Sequence, residues 1–271
     1  MSERVQKILS QWGVASRRQA EKMIVEGRVK IDGVTAKLGD KVDLTKDLLE
    51  VDRRIITVNE RPQSIYLLLN KPKGVVSTCS DPQNRRSVLD LLPNNLKTGQ
   101  GIHPVGRLDS DSSGALLLTN DGELTLTLTH PRYHLPKTYR VWLDGNPTAA
   151  DLTRWRNGIE LDGSKTLPAQ IKILDRQQQQ SLLEIVLTEG KNRQIRRVAE
   201  ILGYKVLKLH RTAIGSIRLE SNSSSRLARG DYRHLTTAEI SFLKNRCESN
   251  SKSNSFKPTA LSKGAVLYGR Q

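Results

Sequence analysis

Val5, Ile8, Leu9 and Trp12 recur at i, i+3, i+4 and i+7, the spacing of one helical face, and Gly13 closes the segment. A second helix is predicted at once. Ser16 stands at its cap with Gln19 three residues on as the reciprocal partner of a capping box, and Ala20, Met23 and Ile24 form the apolar stripe up to Gly27. The period then changes. Val29-Lys30-Ile31 and Val34-Thr35-Ala36 flank Asp32-Gly33, a pair suited to the positive φ angles of a two-residue hairpin turn, and Lys37 to Val42 leads into further short strands. Helix, helix, hairpin predicts a small compact unit over residues 1–60.

Arg61-Pro62-Gln63-Ser64 reads as a linker, and Ile65-Tyr66-Leu67-Leu68-Leu69 as the opening strand of a second domain over residues 65–244. Strands are predicted at Ala115 to Thr119, Thr138 to Leu143, Ala169 to Leu174 and Leu182 to Leu187, with Gln177 to Gln180 a polar loop between the last two. Helices are predicted at Thr148 to Asn157 and at Asn192 to Leu202. Leu124, Leu126 and Leu128 alternate with threonines as in a strand, yet Asn120-Asp121-Gly122-Glu123 equally suits a helix start; the pattern fits both. No regular β-α-β alternation occurs. The expected fold class is therefore α+β: a small helix-helix-hairpin domain, then a domain built on a mixed, mainly antiparallel sheet with flanking helices. Residues 245–271, rich in Ser, Asn and Lys with no periodicity, are expected to form a disordered basic tail.

Composition narrows the function. Lys and Arg number 44 against 28 acidic residues, a formal charge of +16, so a polyanion is the natural partner. No apolar run approaches the roughly 18 residues of a membrane span, and no basic amphipathic helix with bulky apolar anchors suggests a membrane surface. Only Cys79 and Cys247 occur, and Met1-Ser2-Glu3-Arg4 opens no signal-peptide pattern, which together favour the cytoplasm. Charge is also uneven: residues 1–31 hold seven basic and three acidic side chains, residues 32–60 five and seven. The helix face with Arg17, Arg18 and Lys22, and not the hairpin, should meet the polyanion.

Two segments could carry chemistry. Gly106-Arg107-Leu108-Asp109-Ser110-Asp111-Ser112-Ser113-Gly114 is a dense polar loop leading into the apolar strand Ala115 to Thr119, a setting in which a rigid element fixes a side chain that the loop leaves reachable. From Gly190 to Arg211 there are seven basic residues and one acid in 22 positions, a phosphate-binding density. On a helix capped by Asn192 with Ile195, Val198, Ala199 and Leu202 on its apolar face, Arg193 and Arg197 point outward, able to meet phosphates. Arg196 lies at the edge of the stripe and leans inward, where a guanidinium needs a carboxylate such as Asp109.

Residues 15–33, with Ala15-Ser16-Arg17-Arg18-Gln19-Ala20 and Gly27-Arg28-Val29-Lys30-Ile31-Asp32-Gly33, resemble the small RNA-binding module named after ribosomal protein S-four. Four ordered blocks extend the likeness: Gly106-Arg107-Leu108-Asp109; Ser113-Gly114-Ala115-Leu116-Leu117-Leu118-Thr119-Asn120-Asp121-Gly122; Lys137-Thr138-Tyr139; and Glu189-Gly190-Lys191-Asn192-Arg193-Gln194-Ile195-Arg196-Arg197. With Asn70-Lys71-Pro72-Lys73-Gly74, they make the chain to about residue 240 resemble the ribosomal RNA pseudouridine synthases that carry such a module. Ala115 departs from the larger aliphatic commoner there. The resemblance implies Asp109 as nucleophile, Tyr139 as the aromatic group packing on the target base and Arg196 as the basic partner of Asp109; Arg107, Arg17, Arg18, Lys22, Lys191, Arg193 and Arg197 are the expected RNA contacts. It implies no metal and no cofactor, ribosomal RNA or a pre-ribosomal particle as partner, and a large-subunit target; a monomer is expected. A non-catalytic RNA-binding or ribosome-assembly protein would use the same basic surfaces, and an RNA-cleaving hydrolase is the third candidate.

Other signals are weaker. His130 and His134 are spaced like a metal pair, but nothing completes four ligands. In Gly158 to Thr166 the lysine sits one place late for a phosphate loop. Ser112-Ser113-Gly114 lacks the frame of a serine hydrolase, and Asp109 and Asp111, neighbours on one loop, are poorly placed to flank a glycosidic bond from opposite sides.

Overall fold

The structure, a computed structural model, describes residues 2–130, 134–220 and 227–252, with side chains to residue 245. Helices α1 (Val5–Gln11) and α2 (Arg17–Val25) come first. Val5, Ile8 and Leu9 of α1 pack with Ala20, Met23 and Ile24 of α2 and with Val29, Val42, Leu49, Val51 and Ile56 beneath them. Ser16 caps α2 by accepting from the Gln19 backbone N–H at 3.3 Å. The reciprocal half of the capping box is not formed, because the Gln19 side chain is exposed and water competes for it. Trp12 is only half-buried; its indole Nε1 donates to the Thr57 carbonyl at 2.7 Å and so ties the helix pair to the end of the strands. Asp32 (φ 49°) and Gly33 (φ 82°) turn the hairpin, whose register pairs Lys30 with Thr35 and Ile31 with Val34.

Seven strands form the main path of the larger sheet: β1 (Tyr66–Lys71), β2 (Ser113–Thr119), β3 (Lys137–Asp144), β4 (Gln170–Arg176), β5 (Gln180–Leu187), β6 (Val206–Ile214) and β7 (Tyr232–His234). They lie in the order β4-β5-β3-β6-β2-β1-β7, and along this path only β6 and β2 are parallel, so the sheet is mixed and mainly antiparallel as expected. Every residue of β1 and β2 is buried, which accounts for their unbroken apolar runs. Gln180 belongs to β5 and not to the loop before it.

The ambiguous segment after Asn120 is helix α3 (Gly122–Thr129). Asp121 decides it: its carboxylate accepts from the N–H groups of Glu123 (3.1 Å) and Leu124 (3.0 Å) and also receives the Tyr66 hydroxyl at 2.9 Å. Leu124 and Leu128 are buried one turn apart while Leu126 is exposed, and Thr125, Thr127 and Thr129 donate their hydroxyls to the carbonyls four residues back. Asp121→Ala is expected to lower stability by about 1–2 kcal/mol through loss of the cap, read as a lowered urea midpoint at unchanged slope.

Helix α4 (Ala149–Asn157) has the capping box Thr148–Asp151, and helix α5 (Gln194–Ile201) is shorter at its start than the sequence suggests. Its N-cap is Arg193 in the left-handed region (φ 49°), not Asn192. The Gln194 side chain organises this end instead, accepting from the Lys191 N–H (3.2 Å) and donating to Glu189 (2.7 Å). Helix α6 (Thr237–Lys252) continues eight residues into the stretch expected as tail, and the remainder of that stretch, 253–271, lies outside the described residues.

Candidate active site

The loop before β2 is held from both sides. Ser77 donates its hydroxyl to the Leu108 carbonyl at 2.8 Å and receives the Leu108 N–H at 3.1 Å, while the Gly74 N–H donates to the Ser110 carbonyl at 2.7 Å. Between these anchors sits Asp109, its side chain 34% exposed and reachable from solvent. Behind the loop, Gly114 (φ 114°) lies against β6 so closely that a Cβ would stand 2.1 Å from the Arg211 carbonyl oxygen. The parallel pairing of β2 with β6 therefore requires glycine here.

Asp109 opens into a cleft of about 590 Å³, within the range of small-molecule sites. Lys137 and Tyr139 of β3, Arg211 of β6, Arg193 at the N-cap of α5, Arg107 and Lys191 also line it. Tyr139 is directly opposite Arg211 in the β3–β6 register, so the two share one face of the sheet. Leu117, Leu128 and Ile214 on one side and Leu187, Ile195 and Leu209 on the other give the cleft apolar walls.

The arginines are shared out differently from expectation. Arg196 does lean inward, but its partner is Asp111: Nε lies 3.3 Å from the Asp111 carboxylate, and Nη2 donates to the Asp111 carbonyl (3.1 Å) and to Ser112 Oγ (3.2 Å). Arg193 bonds the same carboxylate at 3.0 Å and comes within 3.9 Å of Asp109. Asp111 thus binds two guanidinium groups, and the cation beside Asp109 is Arg193. Partial burial pushes the Asp111 carboxyl up, but the Arg193 hydrogen bond and the charges of Arg196 and Arg193 together hold it below its ordinary value. Arg197 forms a two-pronged pair with Asp162 (2.6 and 2.8 Å), a partner 35 residues distant. Lys191 bonds Ser164 (2.7 Å) at the cleft edge. Arg107 is exposed at the cleft, and Arg17, Arg18 and Lys22 are exposed on α2, with Lys22 3.6 Å from Glu26.

Beneath the loop lies Lys71, wholly buried, its ammonium donating to the carbonyls of Val75 (2.7 Å) and Pro72 (3.0 Å). Burial pushes it down to about 8, against the pull of the Asp109 charge and with the repulsion of Arg211. Sequence reasoning gave no role to Lys71, Asp111, Lys137 or Arg211. Lys71 and Lys137 stand in the family-like blocks, Asp111 in the polar loop and Arg211 at the end of the basic segment, yet nothing in the pattern separates a buried member from an exposed one. Among the described residues, no group of three or more His, Cys, Asp or Glu could hold a metal ion, and no helix is long and apolar enough to cross a membrane.

Residues 65–200 match the RNA pseudouridylate synthase family and residues 3–48 the S4 domain. The chain is 42% identical over 245 residues to ribosomal large subunit pseudouridine synthase B of Bacillus subtilis (strain 168), covering 89% of this chain and 96% of that one. To the protein of that name in Escherichia coli O6:H1 it is 37% identical, covering 92% and 84%. A crystal structure of a pseudouridylate synthase superposes with a TM-score of 0.62 at 32% identity, over 89% of this chain and 99% of the other. Fold, cleft and sequence thus agree, and the chain belongs to the RNA pseudouridylate synthase family, with an S4 domain ahead of the synthase region.

Proposed function

We propose that the chain converts specific uridines of ribosomal RNA, in the large subunit, to pseudouridine, with residues 1–60 docking the RNA and residues 65–244 carrying out the reaction. The observation that carries this reading is the meeting of Asp109, Tyr139 and Arg193 in one cleft, from three separate stretches of chain. The large-subunit target is supported by the identity to the Bacillus and Escherichia proteins. In the reaction the N1–C1′ bond of uridine breaks and a C5–C1′ bond forms, with C5 losing a proton and N1 gaining one. Asp109 serves as the nucleophile, a group that bonds transiently and leaves again. The target nucleotide must leave its stack, at a cost of a few kcal/mol. Tyr139, half-buried with its ring at the cleft, offsets part of that by stacking, worth about 1–3 kcal/mol per base. Arg107 and Lys191 at the cleft, and Arg17, Arg18 and Lys22 on α2, supply positive charge for the backbone.

The test is a pseudouridine map of ribosomal RNA from cells with and without this protein. Loss of one or a few large-subunit sites is expected; an unchanged map would fit a protein that only binds RNA. Isomerisation moves no electrons to or from an acceptor and calls for no cofactor, so the purified chain should keep its full rate on an rRNA fragment in excess EDTA. Loss of activity, or cleavage of the RNA in place of isomerisation, would favour a metal-dependent hydrolase.

A further inference from the structure

Arg211 is 5% exposed, lines the cleft, and donates from Nε to the Ala115 carbonyl at 2.6 Å, which fixes its guanidinium. Its Nη2 is buried and has no hydrogen-bond partner among the described residues. Leaving a buried charged donor unpaired is costly, and such groups need an explanation. Two positions before Tyr139, Lys137 lines the same cleft as a second cation. Burial, and then the charge of Arg211, push its ammonium down to about 8, so this end of the cleft disfavours further positive charge and suits an anion.

We infer that Arg211 is a base-binding residue, donating Nη2–H to a uracil carbonyl oxygen and, with Lys137, stabilising the negative charge on the base while it is detached from the sugar. This rests on the isomerase reading above. When the N1–C1′ bond breaks, its electron pair stays with the base and spreads over N1 and the carbonyl oxygens; the pair is consumed when C5 bonds C1′, after which C5 gives up its proton and N1 is protonated. A fixed donor that strengthens its bond as that charge develops lowers the barrier. A backbone phosphate is the poorer occupant, because Arg107 and Lys191 meet it at the exposed cleft edge while Arg211 is buried.

The experiment uses the full chain and an rRNA fragment bearing the uridine identified by mapping, made with uridine, 2-thiouridine or 4-thiouridine at the target. Single-turnover rates and RNA affinity are measured for wild type, Arg211→Met and Lys137→Met. Arg211→Met should slow the uridine reaction about 10²- to 10³-fold, as removal of one preorganised donor does, with affinity within about threefold. One thio substitution should slow the wild type, since sulfur is the weaker acceptor, and that slowing should shrink in Arg211→Met. A merely structural role would leave the thio effect at its wild-type size in the variant, and that result overturns the inference. So does an affinity loss with an unchanged rate, which marks a phosphate contact. If Arg211→Met does not fold, Lys137→Met carries the same test: the thio effect must shrink there or the inference fails. A wild type inactive on the uridine fragment would overturn the isomerase reading itself, whereas an active wild type with indifferent variants overturns only this assignment.

Discussion

Asp109→Asn is expected to lower pseudouridine formation by at least about 10⁴-fold, a barrier increase near 5.5 kcal/mol, while RNA affinity stays within about threefold of wild type. The amide keeps the size of the carboxylate and cannot form the transient covalent link. The anchors around it, Ser77 on Leu108 and Gly74 on Ser110, bond backbone atoms of the loop and do not depend on the carboxylate. Arg193 loses a charge 3.9 Å away but keeps Asp111 at 3.0 Å, so the helix end stays in place. Release of tritium from C5-labelled uridine in an rRNA fragment measures the rate, and filter binding the affinity. A variant that retained even a tenth of the wild-type rate would remove Asp109 from the role of nucleophile. Asp111→Asn is the informative companion, since its carboxylate binds both Arg193 and Arg196.

Gly114→Ala should be severely destabilising, costing more than about 3 kcal/mol. Two penalties combine there: a backbone with φ of 114°, and a Cβ that would meet the Arg211 carbonyl oxygen at 2.1 Å and its nitrogen at 2.6 Å. Neither atom can step aside without separating β6 from β2. Gly163, with φ of 70° and nothing within 4 Å of a built Cβ, isolates the first penalty, and its alanine variant should cost about 1 kcal/mol. Urea denaturation of the two variants compares them directly. Equal midpoints would mean that the β2–β6 contact yields readily and that the loop holding Asp109 is less firmly seated than its bonds imply.

The two N-terminal helices and the Asp32-Gly33 hairpin could be read closely from sequence because each rests on preferences acting over a few residues. Leu124 to Leu128 could not, since Thr-Leu alternation satisfies period 2 while Leu124 and Leu128 satisfy a helical turn. The choice came from Asp121 capping the helix and receiving the hydroxyl of Tyr66, 55 residues away in sequence. A helical wheel gave the direction of Arg196 but not which acidic group it would find. Asp109 and Asp111 are two residues apart, and the path of the loop, pinned at Leu108 and Ser110, sets which carboxylate faces α5. The partner of Arg197 is equally hidden from a helical wheel, because Asp162 lies on a turn that no pattern links to that helix.

The α+β class, the excess of positive charge and the blocks that mark the family were legible in the order of residues, because periodicity, turn chemistry and composition are local properties. Tertiary structure alone decided that Asp111 binds Arg193 and Arg196, that Gly114 admits no side chain, and that Arg211 is buried with a donor to spare. Those outcomes depend on a few tenths of an ångström between atoms far apart in the chain, where hydrogen bonds and close contacts change sharply with distance.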